Sequence, residues 1–323
     1  IARSQALLQQ GHPVVDIAVF TGEEVPRRAL LPDRLVKVLP GLFGPERVTR
    51  EKERLANESL GTRERPVGVN TSENMAVWED WSDPLNGYAY DSFNRDALLH
   101  LASVEDGRIV LPGGSSYAVL VVPGARTMMP NGNRMSLAVA RRLVQLAKDG
   151  ATLVFEERPE RTLGLEEQDG SEAELKALMD ELFGGEERTL RAGKDEQLSY
   201  YQVGKGRVLK GSYQASSLRP LMVDEDLIIR DRQQRGQKSI AWNHRQTPDA
   251  DIYFLSNQLE ASRSLDLSFR VNGRQPWIYN AVDASVKKAG SWEQKEGRTQ
   301  LRLNLEANEA VFVVFEGPVS KAM

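Results

Sequence analysis

Within SIAWNHRQTPDADIYFLSNQ (residues 239–258), His244 and Arg245 stand just before Gln246-Thr247-Pro248-Asp249, and Asp251 stands just after it. The chain holds 3 histidines, and a histidine beside a carboxylate is the first place to look for proton transfer. Nucleophilic use would need a serine, threonine or cysteine held against it. Cysteine is absent and no Gly-x-Ser-x-Gly elbow occurs. The serines of LPGGSSY and KGSYQASS sit on turn-like stretches with no base placed beside them. The structural alternative is a hairpin corner in which His244 or Arg245 pairs with Asp251 across the strands, worth about 0.2–1 kcal/mol. With no nucleophile in view, that alternative outweighs the catalytic one.

Two other clusters could meet a ligand. Thr21-Gly22-Glu23-Glu24 follows an apolar run, where an open α/β sheet binds ligands beyond a strand's carboxyl end. The competing reading is that Thr21-x-x-Glu24 is a capping box for the next segment. In NGYAYD, Tyr88, Tyr90 and Asp91 lie close in sequence to Trp78 and Trp81. Aromatic faces beside a carboxylate suit stacking against the C–H face of a sugar. They equally suit a loop pinned by its own aromatics, and that reading weighs more. Cleavage of a glycosidic bond needs two carboxyl groups about 5–9.5 Å apart, a pair that spacing cannot select among 46 acidic residues.

Several chemistries are argued against. A pyrophosphate would meet the two carboxylates at 23 and 24, no Walker motif or glycine fingerprint is present, and Gly204-Lys205-Gly206 precedes a strand. His12, His100 and His244 fall in three different elements without metal-ligand spacing. The formal charge of −4, with acids and bases balanced beyond Leu221, speaks against nucleic acid. No apolar run reaches the ~18 residues of a membrane span.

The elements that must position these residues change character near residue 220. Before it, residues 13–20 and 151–157 and the second half of 107–124 read as buried strands of parallel type. Helices are expected over 91–102, with Asn94 as cap, over 133–150, and over 171–185, with Ser171 and Glu174 as a capping box. A short strand is expected at 204–212. After residue 220, strands are expected at 226–231, 238–245, 250–257, 264–271, 275–281, 285–293, 299–305 and 309–316. Spacings of that kind build a sandwich. The predicted fold class is therefore α/β then all-β: a doubly wound open sheet, flavodoxin- or amidotransferase-like, followed by an antiparallel β-sandwich. The divisions expected are 1–12, the end of a helix from a preceding domain, 13–220 for the α/β domain and 221–323 for the sandwich. The opening IARSQALLQQG reads as the end of a helix stopped by Gly11, so the chain is expected to be part of something longer.

Taken in order, several stretches resemble glycoside hydrolase family 106, the α-L-rhamnosidases. LNGYAYDSFNRDALL is similar to that family's Gly-Tyr-x-Tyr-Asp-x-x-Asn-x-Asp-x-Leu, through Gly87, Tyr88, Tyr90, Asp91, Asn94, Asp96 and Leu98. IAWNHRQTPDADIYFLSNQ resembles its His-Arg…Asp-x-Tyr-Phe-x-Ser-Asn hairpin, through His244, Arg245, Asp251, Tyr253, Phe254, Ser256 and Asn257. The chain departs from the pattern at Val19-Phe20-Thr21-Gly22-Glu23 and at Trp277-Ile278-Tyr279-Asn280-Ala281-Val282. The resemblance implies an internal region downstream of a catalytic (β/α) barrel, packed against that barrel and a further C-terminal sandwich. The barrel would hold the acid, the base and a calcium ion, leaving no catalytic residue, cofactor or metal here. A carbohydrate substrate and a periplasmic or secreted location are implied for the complete enzyme. Glu23, Tyr88, Tyr90 and Asp91 are the expected contributors at the rim of the substrate site. The rival function is a non-catalytic carbohydrate-binding or scaffold module. An amidotransferase-like enzyme ranks last, because its cysteine nucleophile is missing.

Overall fold

The computed structural model describes residues 1–23, 87–124, 133–163, 170–192, 196–210, 218–232, 240–257 and 259–319. Glu24, Trp78 and Trp81 lie outside them. Helix α1 (Ala2–Leu8) and strand β1 (His12–Pro13) come first. Leu7 and Leu8 rest on Ala250, Ile252, Phe312 and Val314, and β1 pairs with Arg245 and Gln246. Between them Gly11 has φ +55, and a Cβ there would stand 1.9 Å from the Gln246 carbonyl oxygen. Glycine alone permits that approach. The opening segment thus packs on the C-terminal half of the chain before entering the first sheet.

That sheet starts with β2 (Ile17–Phe20) and β3 (Tyr90–Phe93). A single π-helical turn, Ala97–Leu101, leads to a small antiparallel sheet of β4 (Ser103–Glu105), β5 (Arg108–Val110) and β6 (Ser116–Tyr117). Then come β7 (Val119–Val122), α2 (Leu137–Asp149), β8 (Thr152–Phe155) and α3 (Ser171–Phe183). Strands β9 (Glu187–Ala192), β10 (Glu196–Val203) and β11 (Gly206–Lys210) complete it. The spatial order is β3-β2-β7-β8-β11-β10-β9. The first five strands are paired in parallel, and β10 then pairs antiparallel with both β11 and β9.

Both faces of this sheet are apolar, which is why β2 and β7 are buried throughout. Ala18, Phe20, Leu120, Val122, Leu153 and Phe155 point into a core shared with α2 and α3. Ile17, Val19, Val119, Val121 and Val154 point the other way, against Tyr88, Leu218 and Val223. Both of the described long helices therefore lie on one face, and helices on both faces, the doubly wound arrangement, are not seen among the described residues.

The second half is a sandwich. β12 (Leu227–Asp231), β13 (Ile240–Gln246), β14 (Ala250–Asn257) and β15 (Arg263–Phe269) are followed by β16 (Arg274–Tyr279) and β17 (Val286–Lys288). β18 (Trp292–Lys295), β19 (Arg298–Leu305) and β20 (Ala310–Pro318) finish it. One sheet has the order β1-β13-β14-β20-β16-β17 and the other β12-β15-β19-β18, with every pairing antiparallel. Their inner faces meet through Leu227, Tyr253, Leu265, Phe269, Leu303, Val313 and Phe315.

Local expectations fail at three places. Residues 91–93 are strand, not helix, because they pair with β2; Asn94 still accepts the Ala97 N–H at 2.8 Å. No capping box forms at α3: Gly170, at φ +101, starts the helix one residue early, and Glu174 pairs with Arg141 instead. The strand near 204–212 forms, but beside it lie two strands that were not expected, β10 antiparallel to it and β9 antiparallel to β10, whose mixed polar sequences gave no strand signal.

Candidate functional site

The four expected rim residues do not converge. Glu23 lies past the carboxyl end of β2, whereas Tyr88 precedes β3 and Tyr90 and Asp91 open it, level with Ile17 and Ala18. Tyr88 is buried, and its hydroxyl donates to the Val223 carbonyl at 2.9 Å. Burial and the nearby Glu225 charge push that phenol well above its ordinary pKa. Tyr90 packs beside it. On the opposite face, Asp91 accepts from the Tyr117 hydroxyl at 3.1 Å. Burial raises the Asp91 carboxyl, and the Tyr117 hydrogen bond only partly offsets this.

The carboxyl ends of the parallel strands are where an open α/β sheet binds anionic ligands. Here the protein's own carboxylates occupy the donors. Ser136 caps α2, its hydroxyl accepting from Val139 N–H at 3.3 Å. Glu23 accepts the Ser136 N–H at 2.7 Å and Arg95 Nε at 3.2 Å. Next to it, Glu156 accepts the Gly124 N–H at 3.2 Å. Glu23 therefore does what a capping side chain does, for a helix distant in sequence; the capping box expected from Thr21 and Glu24 falls outside the described residues at Glu24.

The dense chemistry lies where the α/β layer meets the sandwich, and His244 is at its centre: the expected hairpin forms and His244 pairs with Asp251 across it, inside the protein. His244 is 3% exposed. Alternation along β13 turns Ile240, Trp242 and His244 inward, so the ring stacks on Tyr253 at 3.8 Å. Its Nδ1 lies 2.8 Å from Asp226 Oδ2 and its Nε2 3.2 Å from Asp251 Oδ1. A neutral imidazole has one acceptor nitrogen, which would face a carboxylate oxygen with no proton between them. Two carboxylates at the two nitrogens therefore call for the imidazolium. Burial lowers the His244 pKa, but Asp226 and then Asp251 more than reverse this and hold it above its ordinary value. Burial raises Asp251, and hydrogen bonds from His244 and Gln246, with the Arg274 charge, bring it below its ordinary value.

The chain of charges continues in both directions. Arg274 Nη1 donates to Asp251 Oδ2 at 2.6 Å. Tyr253 donates to Asp226 Oδ1 at 2.9 Å, and Arg270 Nε approaches the same oxygen at 3.4 Å. Arg270 Nη2 then donates to Asp16 Oδ2 at 2.7 Å, and Arg108 Nη2 to Asp16 Oδ1 at 2.9 Å. Asp16 precedes β2 and Arg108 lies on β5, so the network crosses from sandwich to α/β layer. Backbone contacts run alongside it. Gly87, at φ +88, offers its carbonyl to Asp226 N–H at 2.8 Å, and a Cβ there would strike Glu225 at 2.9 Å.

Sequence reasoning found His244, Arg245 and Asp251 but missed Asp16, Asp226 and Arg270. Asp16 had a signal: one carboxylate inside PVVDIAVF must find a partner if the run is buried. Asp226 had none: it opens the strand expected at 226–231, and nothing in Asp224-Glu225-Asp226 marks one of the three carboxylates as buried. Arg245 faces away from the junction and donates to the carbonyls of Gln10 and Gly11, at 2.6 and 2.7 Å. Among the described residues no three histidine, aspartate or glutamate side chains gather to hold a metal, and no helix is long and apolar enough to cross a membrane.

A two-layer region whose deepest ionic chemistry is spent on holding the layers together belongs, by comparison with known proteins, to the glycoside hydrolases. The chain is a member of the alpha-L-rhamnosidase family, glycoside hydrolase family 106, whose sequence model matches residues 69–294. It is similar to the rhamnosidase from Novosphingobium sp. PP1Y, with 28% identity and a TM-score of 0.69. That likeness covers 99% of this chain and 24% of the rhamnosidase. It is also 30% identical over 318 residues to a putative beta-glucuronidase of Formosa agariphila. The match spans 98% of this chain and 20% of that protein. The chain thus corresponds to a fifth to a quarter of the relatives it matches.

Proposed function

We propose that this chain is an accessory region of a longer α-L-rhamnosidase, a hydrolase of rhamnose-containing glycans, and is not catalytic by itself. The observation that carries this is the share of the relatives it spans, 20% and 24%, joined to the use made of its buried charges. Asp16, Asp226, His244 and Asp251 bond to one another or to arginines across the junction, an arrangement that favours a rigid support. In this reading the acid, the base and a calcium ion belong to a barrel elsewhere in the longer protein. The α/β layer, completed as a doubly wound domain, packs beside that barrel, and a further sandwich follows. Secretion or export to the periplasm goes with such a substrate. Of the four expected rim residues, Asp91 keeps the chemistry best suited to a sugar hydroxyl, since Glu23 is tied to α2 and Tyr88 to Val223.

Hydrolysis of aryl α-L-rhamnoside and aryl β-glucuronide, by this chain and by the longer protein that contains it, tests the reading. The longer protein is expected to release the aryl alcohol from the rhamnoside, and the chain alone from neither. Turnover by the chain alone contradicts the accessory role, and turnover of the glucuronide in place of the rhamnoside contradicts the substrate.

A further inference from the structure

We infer that the free edge of the seven-stranded sheet is a self-complementary interface, on which β9 pairs antiparallel with β9 of a second copy of this chain. β9 is the last strand of its sheet and is hydrogen-bonded to β10 along one side. Along its other side it bonds to no described residue. At 6 residues it is the longest edge strand among the described residues. Such an edge presents a row of N–H and C=O groups that a further strand can take up.

Charged side chains ordinarily guard an edge against pairing. Here Glu187, Arg188, Thr189 and Arg191 are exposed. Arg188 lies 3.9 Å from its neighbour Glu186, whereas Glu187 and Arg191 form no ion pair among the described residues. Their order defeats the guard against one partner, the same strand. A two-fold axis through Thr189 sets Glu187 opposite Arg191 of the copy and Arg191 opposite its Glu187. One ion pair thus forms twice, on one face, as an isologous contact requires. Sliding the copies by one residue sets Arg188 opposite Arg191 in one direction. In the other direction it leaves no acid of the strand opposite a base. The charges therefore choose the register as well as the partner.

The other face agrees with this register. Leu190 is half-buried and stands opposite Leu198 of β10, which packs on the core of the sheet. Across the axis Leu190 would meet the aliphatic stem of the copy's Arg188, which covers apolar surface and keeps its charge in water. The opposite edge of the sandwich supplies a comparison. β18 carries Glu293 and Lys295 on either side of Gln294, a similar pattern on a strand of 4 residues, too short to align as many main-chain bonds. The pairing stands apart from the function proposed above, and neither hydrolysis result bears on it.

Sedimentation velocity of the chain over a wide range of concentration tests this. A reversible dimer is expected. Arg191→Glu should weaken it about tenfold, since one reversal breaks both copies of the ion pair. The double variant E187R/R191E should restore it, and Lys295→Glu should leave it unchanged. The chain has no cysteine, so Thr189→Cys places one thiol on each side of the axis. Residues facing each other there stand about 4.5–5.5 Å apart between Cα atoms, within disulfide reach, and oxidised glutathione should link the copies. Should a charge reversal unfold the chain, that link carries the test, and its absence overturns the interface. A wild-type chain that stays monomeric at every concentration overturns it too. So does a dimer that Arg191→Glu leaves intact or that Lys295→Glu disperses, for then another surface makes the contact. A longer protein that stays monomeric while the chain dimerises gives the edge to the rest of its own chain and overturns the second copy as the occupant.

Discussion

The junction between the layers and the outer face of the four-stranded sheet are built from the same side chains, arginine with aspartate or glutamate, and they behave oppositely. At the junction Asp16, Asp226, His244 and Asp251 are nearly solvent-free, and each faces a charge of opposite sign. On the outer face Arg230 and Glu293 are exposed and pair with no other side chain among the described residues. Burying a charge is costly unless it is paired and hydrogen-bonded. The junction meets that condition at every position, so its ions act as fasteners. The outer face never leaves water, so its ions need no partner.

The comparison can be broken at its strongest point first. Asp226→Ala removes the acceptor of His244 and Tyr253 and a partner of Arg270 in one step. Breaking a buried pair of this kind costs about 3–5 kcal/mol, so the urea midpoint should fall sharply. A loss under about 1 kcal/mol, the range of surface ion pairs, would place the junction in the same class as the outer face.

The junction also predicts a pH dependence. The His244 pKa is raised, so its contribution is fully present below about 6.5, the ordinary histidine value, and is lost as pH rises through the folded-state value. The Asp251 pKa is lowered, so its contribution is present above the ordinary carboxylate value, about 3.9, and is lost as pH falls through the folded-state value. Wild-type protein should therefore hold its highest melting temperature between these limits. His244→Gln should be less stable inside that window and lose the alkaline decline. Parallel melting curves for the two proteins across pH 5 to 9 would count against the imidazolium. The smallest effect lies on the outer face, where Arg230→Ala should change stability by no more than about 0.5 kcal/mol.

Legibility followed the same division. The inward set Ile240, Trp242 and His244 and the pairing of β13 with β14 were readable, because alternation has a period of 2 and one turn fixes the register. The parallel strands β2, β7 and β8 were readable as continuous apolar runs. The partners of His244 across the junction were not, because Asp16 and Asp226 are brought together by tertiary packing, and sequence spacing carries no trace of it. The same holds for Glu23, whose partner Ser136 lies more than a hundred residues away. His244 and Asp251 could be seen to be near each other; that they are buried depends on the second sheet of the sandwich and on the α/β layer above it.

Scanning calorimetry of wild type and Asp16→Ala puts the central claim to its most direct test. Asp16 is the acceptor that joins Arg108 of the α/β layer to Arg270 of the sandwich. The wild-type chain should unfold in a single cooperative transition, and Asp16→Ala in two separate ones, as the layers lose their coupling. Two transitions already in wild type, or one unchanged transition in the variant, would contradict the view that these buried charges lock the layers together.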